Sequence, residues 1–219
     1  MADDDIQTVM HGYFRSSAAF RLRIALNLKN VSYRTVSYNL RRGEQRSAEY
    51  KALNSQGLVP ALELDGRIFT QSLSIIEYLD ETRPYPPLLP TSAAERARVR
   101  ALAQIVACDI HPIDNIRVLA YLRDQLGQPK EQVSRWYGHW ITQGFDALEP
   151  MLASDPRTGR FCHGDTPGLA DICLVPQVTN ARLQSVDISA YPTIGRIADE
   201  ALMLPAFSTA HPNNQPDAE

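Results

Sequence analysis

The chain has 219 residues, 44% of them hydrophobic and 21% charged, with a formal net charge of -3. Charges of both signs are interleaved, so no basic face is set up for nucleic acid or an anionic membrane surface. A chain of this length buries roughly 70% of its unfolded surface and needs neither a metal nor a disulfide to fold.

The cysteines, Cys108, Cys162 and Cys173, are odd in number and far apart, with no CxxC and no histidine pair at zinc spacing. That usage fits a reducing compartment and predicts no metal site. Met1–Ile6 is acidic and lacks the apolar core of a leader, and no apolar run approaches ~20 residues, so the expected location is the cytoplasm. Of 22 basic residues only Lys29, Lys51 and Lys130 are lysine; arginine is the better clamp for carboxylates.

In chain order, residues 7–14 predict a strand and 20–29 an apolar-rich helix ending near Asn30. Residues 33–39, rich in β-formers, predict a second strand, and 47–54 a short helix. Residues 58–70 predict two strands around an Asp65-Gly66 turn, the strongest short hairpin signal in the chain. A helix over 71–79 closes the unit. The order is β-α-β-α-β-β-α, a small mixed sheet with helices packed on it.

The prolines of 83–90 predict a stiff linker. Beyond it only helical spacing returns, over 92–126, 130–152, 168–182 and, with breaks, 188–204. The expected domains are 1–86 and 93–219, joined through 87–92. His111-Pro112 predicts a kink, Trp136 and Trp140 read as helix core, and Cys108 and Cys173 as buried small apolar residues. The tail 210–219, polar and broken by proline, is expected to be loose or to lie along the surface.

The turn 14–19, Phe-Arg-Ser-Ser-Ala-Ala, places a cation and two hydroxyls where the first strand hands over to its helix. Unpaired amides and the positive end of the helix dipole make that corner receptive to an anion. Ser16 or Ser17 can be a plain N-cap. Either hydroxyl can also donate to a sulfur and favour its thiolate, and with no cysteine in the turn that thiol has to come with a ligand. Val59-Pro60 before a strand suggests a cis turn that leaves backbone groups for an extended peptide. Gln71-Ser72 opens the next helix with a hydroxyl and an amide, which suits a carboxylate. A thiol corner, a peptide edge and a carboxylate end together describe a thiol tripeptide, with glutathione the obvious candidate.

Residues 14–26, 53–60 and 71–79, with 109–122 and 164–177 in the second half, resemble the zeta class of the glutathione transferase superfamily. The resemblance runs from about His11 to Pro216. It implies a thioredoxin-like N-terminal domain, an all-helical C-terminal domain, a homodimer and bound glutathione. By matching position, Ser16 and Ser17 would face the glutathione sulfur, Val59, beside Pro60, would pair with its backbone, and Gln71 and Ser72 would hold its γ-glutamyl carboxylate. Gln56, His111 and Asn115 would complete that site, and Arg15, Arg117 and Arg182 would meet a dicarboxylate substrate. The implied activity is a glutathione-dependent cis–trans isomerisation of maleylacetoacetate. Maleylpyruvate is the close alternative, and general conjugation of electrophiles a further one.

Two positions depart from the class pattern. Ala18 stands where many members carry cysteine, and Gly168 where a serine or threonine usually caps a helix. Glycine there is expected to cost a few tenths of a kcal/mol, with Asp171 still reaching back to the cap.

Overall fold

The structure, a computed structural model, describes residues 7–219; the acidic stretch Met1–Ile6 lies outside the described residues. The chain gathers into two compact units, residues up to Pro87 together with Leu204–Glu219, and Leu88–Met203. This differs from the domains expected above, which assigned 204–219 to the second half.

In the first unit a four-stranded sheet has the order β2-β1-β3-β4, with β1 Val9–Gly12, β2 Arg34–Ser37, β3 Ala61–Leu64 and β4 Arg67–Thr70. β1 runs parallel to β2 and antiparallel to β3. The β3–β4 hairpin pairs Leu62 with Phe69 and turns at Asp65 and Gly66, both at positive φ, as a two-residue loop requires. The expected order of elements holds, with strands shorter than their β-forming runs. A short 3-10 turn, Glu44–Arg46, adds to it.

Helices α1 (Ser17–Leu28) and α3 (Ser72–Thr82) pack against each other. Every residue of α1 from Ser17 to Leu26 is buried, including Arg21 and Arg23. α2 (Ala48–Leu53) is capped by Ser47, whose hydroxyl accepts from Tyr50 N–H. Lys29 ends α1, and its buried ammonium donates to Asp80 Oδ1 at 2.7 Å, to Arg83 C=O at 2.7 Å and to Pro86 C=O at 2.5 Å. The proline-rich run is therefore irregular, as predicted, and pinned by one lysine.

The second unit is helical: α4 (Ala93–Gln104), α5 (Ile116–Asp124), α6 (Lys130–Ala153), α7 (Leu169–Leu183) and α8 (Pro192–Leu202). α7 packs on α4 and α8 and is buried on nearly every face. The helical stretch expected over 92–126 breaks at the kink predicted for His111-Pro112. Its middle widens into a π-helical segment, Ile105–Ile110, ending as His111 N–H donates to Val106 C=O five residues back. Pro112 has no N–H to continue the ladder, and the chain turns through 111–115 before α5 begins. Trp136 Nε1 donates to Ile113 C=O at 3.0 Å and holds that turn. Cys173 is buried as expected; Cys108, on the π segment, is exposed.

At the start of α7, Asp171 accepts from Gly168 N–H and from Cys162 N–H, both at 2.8 Å. The returning half of a capping box is present, as expected. The reason for glycine is different from a small capping deficit: a Cβ on Gly168 would stand 2.7 Å from the Leu88 carbonyl oxygen, which accepts from Leu169 N–H. Gly168→Ser is expected to lower the melting temperature by roughly 3–8 °C although it restores a capping hydroxyl. Thermal melts check this, and a raised midpoint would mean that Leu88 yields without cost.

The tail takes the second of its two expected courses and lies along the surface of the first unit. α9 (Pro205–Ser208) lies on α1, where Asn27 Nδ2 donates to Ala206 C=O and Thr209 Oγ1. His211 stacks edge-on against Phe20. A polar composition left both a loose end and a surface-laid one open, and specific partners decide for the second. Among the described residues no helix is long and apolar enough to cross a membrane.

Candidate active site

The first unit carries three groups of candidate residues. At the β1–α1 turn, Ser16 has extended dihedrals and caps α1, its Oγ accepting from Ala19 N–H at 3.2 Å. The capping reading and the ligand reading are compatible: the oxygen lone pair serves the helix, and the hydroxyl hydrogen is left to donate. Ser17 is the first residue of α1 and is buried. Arg15, half-buried on the same turn, has no carboxylate partner among the described residues. The first turn of α1 contains no acidic side chain, so nothing in the helix offsets the positive end of its dipole.

The second group lies before β3. The Val59–Pro60 peptide is cis, as anticipated. Leu58 C=O is taken by Tyr50 Oη and Asn54 Nδ2, each at 2.7 Å. Val59 N–H and C=O enter no hydrogen bond among the described residues, which leaves one backbone donor and one acceptor, the groups an added extended strand would pair with.

The third group opens α3. Gln71 adopts φ 68, and its Nε2 donates to Gln56 Oε1 at 2.8 Å, bringing two predicted residues together. Ser72 is buried, and its Oγ accepts from Arg21 Nη1 at 3.1 Å. α3, like α1, has no acid in its first turn. Arg21 was missed in the sequence reading. Its signal was present: two arginines in the otherwise apolar run 20–26, on a helix with no polar face to expose them.

The remaining candidates stand on the second unit. His111 ends the π segment and is half-buried. Asn115 caps α5, its Oδ1 accepting from Arg117 N–H at 3.1 Å, and its amide nitrogen has no partner among the described residues. Arg117 is exposed in the first turn of α5 and meets no carboxylate among the described residues. Arg182 is engaged: its Nη1 donates to Asp199 Oδ1 at 2.7 Å, tying α7 to α8. Among the described residues no group of three or more His, Cys, Asp or Glu could hold a metal ion.

Chemically, the first unit offers hydroxyls and a helix end for an anionic sulfur, a backbone pair for a peptide and a second helix end for a carboxylate. Residues 15–82 match the family model "Glutathione S-transferase, N-terminal domain". The chain is 50% identical over 213 residues to a probable maleylacetoacetate isomerase of Vibrio cholerae, covering 96% of this chain and 98% of that one. It is 49% identical to a maleylpyruvate isomerase of a Ralstonia species, covering 95% and 99%. Among solved structures, a maleyl pyruvate isomerase described as a bacterial zeta-class glutathione S-transferase superposes with TM-score 0.95 at 48% identity, covering 96% of this chain and all of that one. A maleylacetoacetate isomerase from Methylobacterium extorquens AM1, with malonate and glutathione bound, gives 0.93 at 45% identity, covering 96% and 99%. The chain belongs to the glutathione S-transferase family, in its zeta class.

Proposed function

We propose that the protein is a glutathione-dependent cis–trans isomerase of a maleyl keto diacid, maleylacetoacetate first and maleylpyruvate as the shorter alternative. The observation that carries the reading is the unpaired N–H and C=O of Val59 in a unit whose two helices α1 and α3 open with no acidic residue in the first turn. Those groups fit glutathione: Val59 for its cysteinyl backbone, Ser72 and Gln71 with Gln56 for its γ-glutamyl carboxylate, His111 and Asn115 as further contacts. Relatives bearing both isomerase names support the reading, as do solved relatives with glutathione bound.

When bound, glutathione supplies a thiolate that adds reversibly to the cis alkene, so that the bond can rotate before the sulfur leaves. The chain's own part is electrostatic. Ser16 donates to the sulfur with the α1 dipole behind it and so lowers the cost of ionisation; a free thiol with a pKa of about 8.5 is only a few per cent ionised at neutral pH. Ser17 is the second candidate donor. Arg15 and Arg117 are assigned to the two carboxylates and to charge moving toward the ketone. Arg182 joins them only by giving up Asp199.

The deciding assay incubates the purified protein with each diacid, with and without glutathione, and follows the alkene absorbance. Isomerisation without glutathione, or accumulation of a conjugate in place of the trans acid, would discard the reading. Arg15→Ala is expected to raise KM for the diacid about tenfold and leave KM for glutathione within about twofold. Steady-state kinetics in both substrates check it, and an unchanged diacid KM removes Arg15 from the site. By family resemblance the working form is assigned as a homodimer, which sedimentation of the purified protein tests.

A further inference from the structure

The turn that carries Arg15 and Ser16 is closed by Ser16 N–H donating to Tyr13 C=O at 3.0 Å. In a turn of this kind the second residue's own amide and carbonyl face away from the closing bond, so Phe14 has to find partners outside the turn. Water is not one of them, because Phe14 is 4% exposed. Both partners are polar side chains tied to the carboxyl-terminal tail. Phe14 N–H donates to Asp217 Oδ2 at 3.1 Å, and Ser37 Oγ donates to the same oxygen. Phe14 C=O accepts from Arg23 Nη2 at 3.1 Å, and Arg23 Nε donates to Ala210 C=O at 2.9 Å. Glu219 fastens the far end of the tail through Asn39 Nδ2, at 2.8 Å, and Arg41. The two peptide groups on either side of Phe14 are thus pinned by the tail, immediately before Arg15 and Ser16.

We propose that Asp217 is a positioning residue for the isomerisation: by holding the Phe14 amide it fixes the direction in which the next two residues present the Ser16 hydroxyl and the Arg15 guanidinium. The proposal rests on the function proposed above. A hydroxyl stabilises a thiolate only when its hydrogen points along one direction, so a small rotation of the turn removes the bond without unfolding anything. Negative charge on Asp217 is not what the role requires. An acceptor oxygen at that place is.

The test compares the parent with Asp217→Ala and Asp217→Asn, the latter keeping an acceptor for Phe14 N–H. The readouts are the pKa of glutathione's thiol in the binary complex, followed by ultraviolet thiolate absorbance, and kcat and KM across pH. Asp217→Ala is expected to raise the bound thiol's pKa by about one unit and to lower kcat about tenfold at neutral pH. The kcat deficit should narrow as the pH rises, while KM for the diacid rises severalfold because Arg15 turns with Ser16, and KM for glutathione stays within about twofold of the parent. Asp217→Asn should stay within about twofold of the parent in every readout. Equal losses in Ala and Asn would overturn the proposal in favour of a pure charge effect, and an unchanged thiol pKa in Ala would overturn it outright. If Asp217→Ala does not fold, Ser37→Ala decides, because it loosens Asp217 from an exposed position; a rise in the same thiol pKa supports the proposal and no change sinks it. A parent that binds no glutathione would instead fail the functional reading itself, which the binary titration shows before any variant is compared.

Discussion

Replacing Ser16 by alanine is expected to lower turnover about a hundredfold at neutral pH while costing the fold only about 1 kcal/mol. The two effects come from two halves of one hydroxyl. Its oxygen accepts from Ala19 N–H, and losing that bond costs what an N-cap is usually worth. Its hydrogen is the donor assigned to the glutathione sulfur, and losing it raises the thiol's pKa. At neutral pH fewer thiols are then ionised, and the deficit shrinks as pH rises toward the new pKa. Ser17→Ala is the comparison: Ser17 is buried and begins the helix without capping it. Pre-steady-state kinetics with ultraviolet titration of the bound thiol separate the cases. A Ser16→Ala enzyme whose bound thiol titrates like the parent's would remove Ser16 from the chemistry and leave it a cap.

The second large effect is on stability. Asp114→Asn is expected to stabilise the protein at pH 7 by up to about 4 kcal/mol. Asp114 lies in the turn between the π segment and α5, buried, and neither carboxyl oxygen has a hydrogen-bond partner among the described residues. Burial alone pushes its carboxyl up to about 8. In the unfolded chain the same group has a pKa of about 3.9. Between these two values the unfolded state holds fewer protons than the folded state, so stability falls as pH rises through the window and levels off above it. Below about pH 4 both states are protonated and the penalty is absent. Asparagine imitates the protonated acid at every pH. Its advantage should therefore be near zero at pH 4, grow through neutrality and plateau above about pH 8. Urea denaturation at pH 4 and pH 8 measures this. A gap of equal size at both pH values would mean that the carboxyl is already ionised or already partnered. Because the same turn carries His111 and Asn115, the cost sits beside residues assigned to ligand contact, where poorly satisfied groups tend to be retained.

The order of elements was legible in the chain because each element announces itself over a few neighbouring residues. Asp65-Gly66 marks a hairpin, the prolines of 83–90 mark an irregular connection, and serines precede helices at Ser16, Ser47 and Ser92. The candidate glutathione corner was legible for the same reason. Its two serines, its Val-Pro and its Gln-Ser are each a pair of adjacent residues, and the chemistry of each pair depends on local backbone geometry.

Contacts between residues far apart in the chain were settled only by the tertiary structure. The burial of Arg21 against Ser72, the choice of glycine at 168 beneath the Leu88 carbonyl and the pairing of Arg182 with Asp199 each depend on a neighbour brought in by packing. The tail is the clearest case. By composition 210–219 is a polar end that is either loose or laid along the surface, and only the fold has Asp217 reach the amide of Phe14, 203 positions earlier. Propensity and periodicity report what a segment does by itself. A buried amide that lacks a partner within its own turn takes one from whichever segment the fold delivers, and no local pattern records which segment that will be.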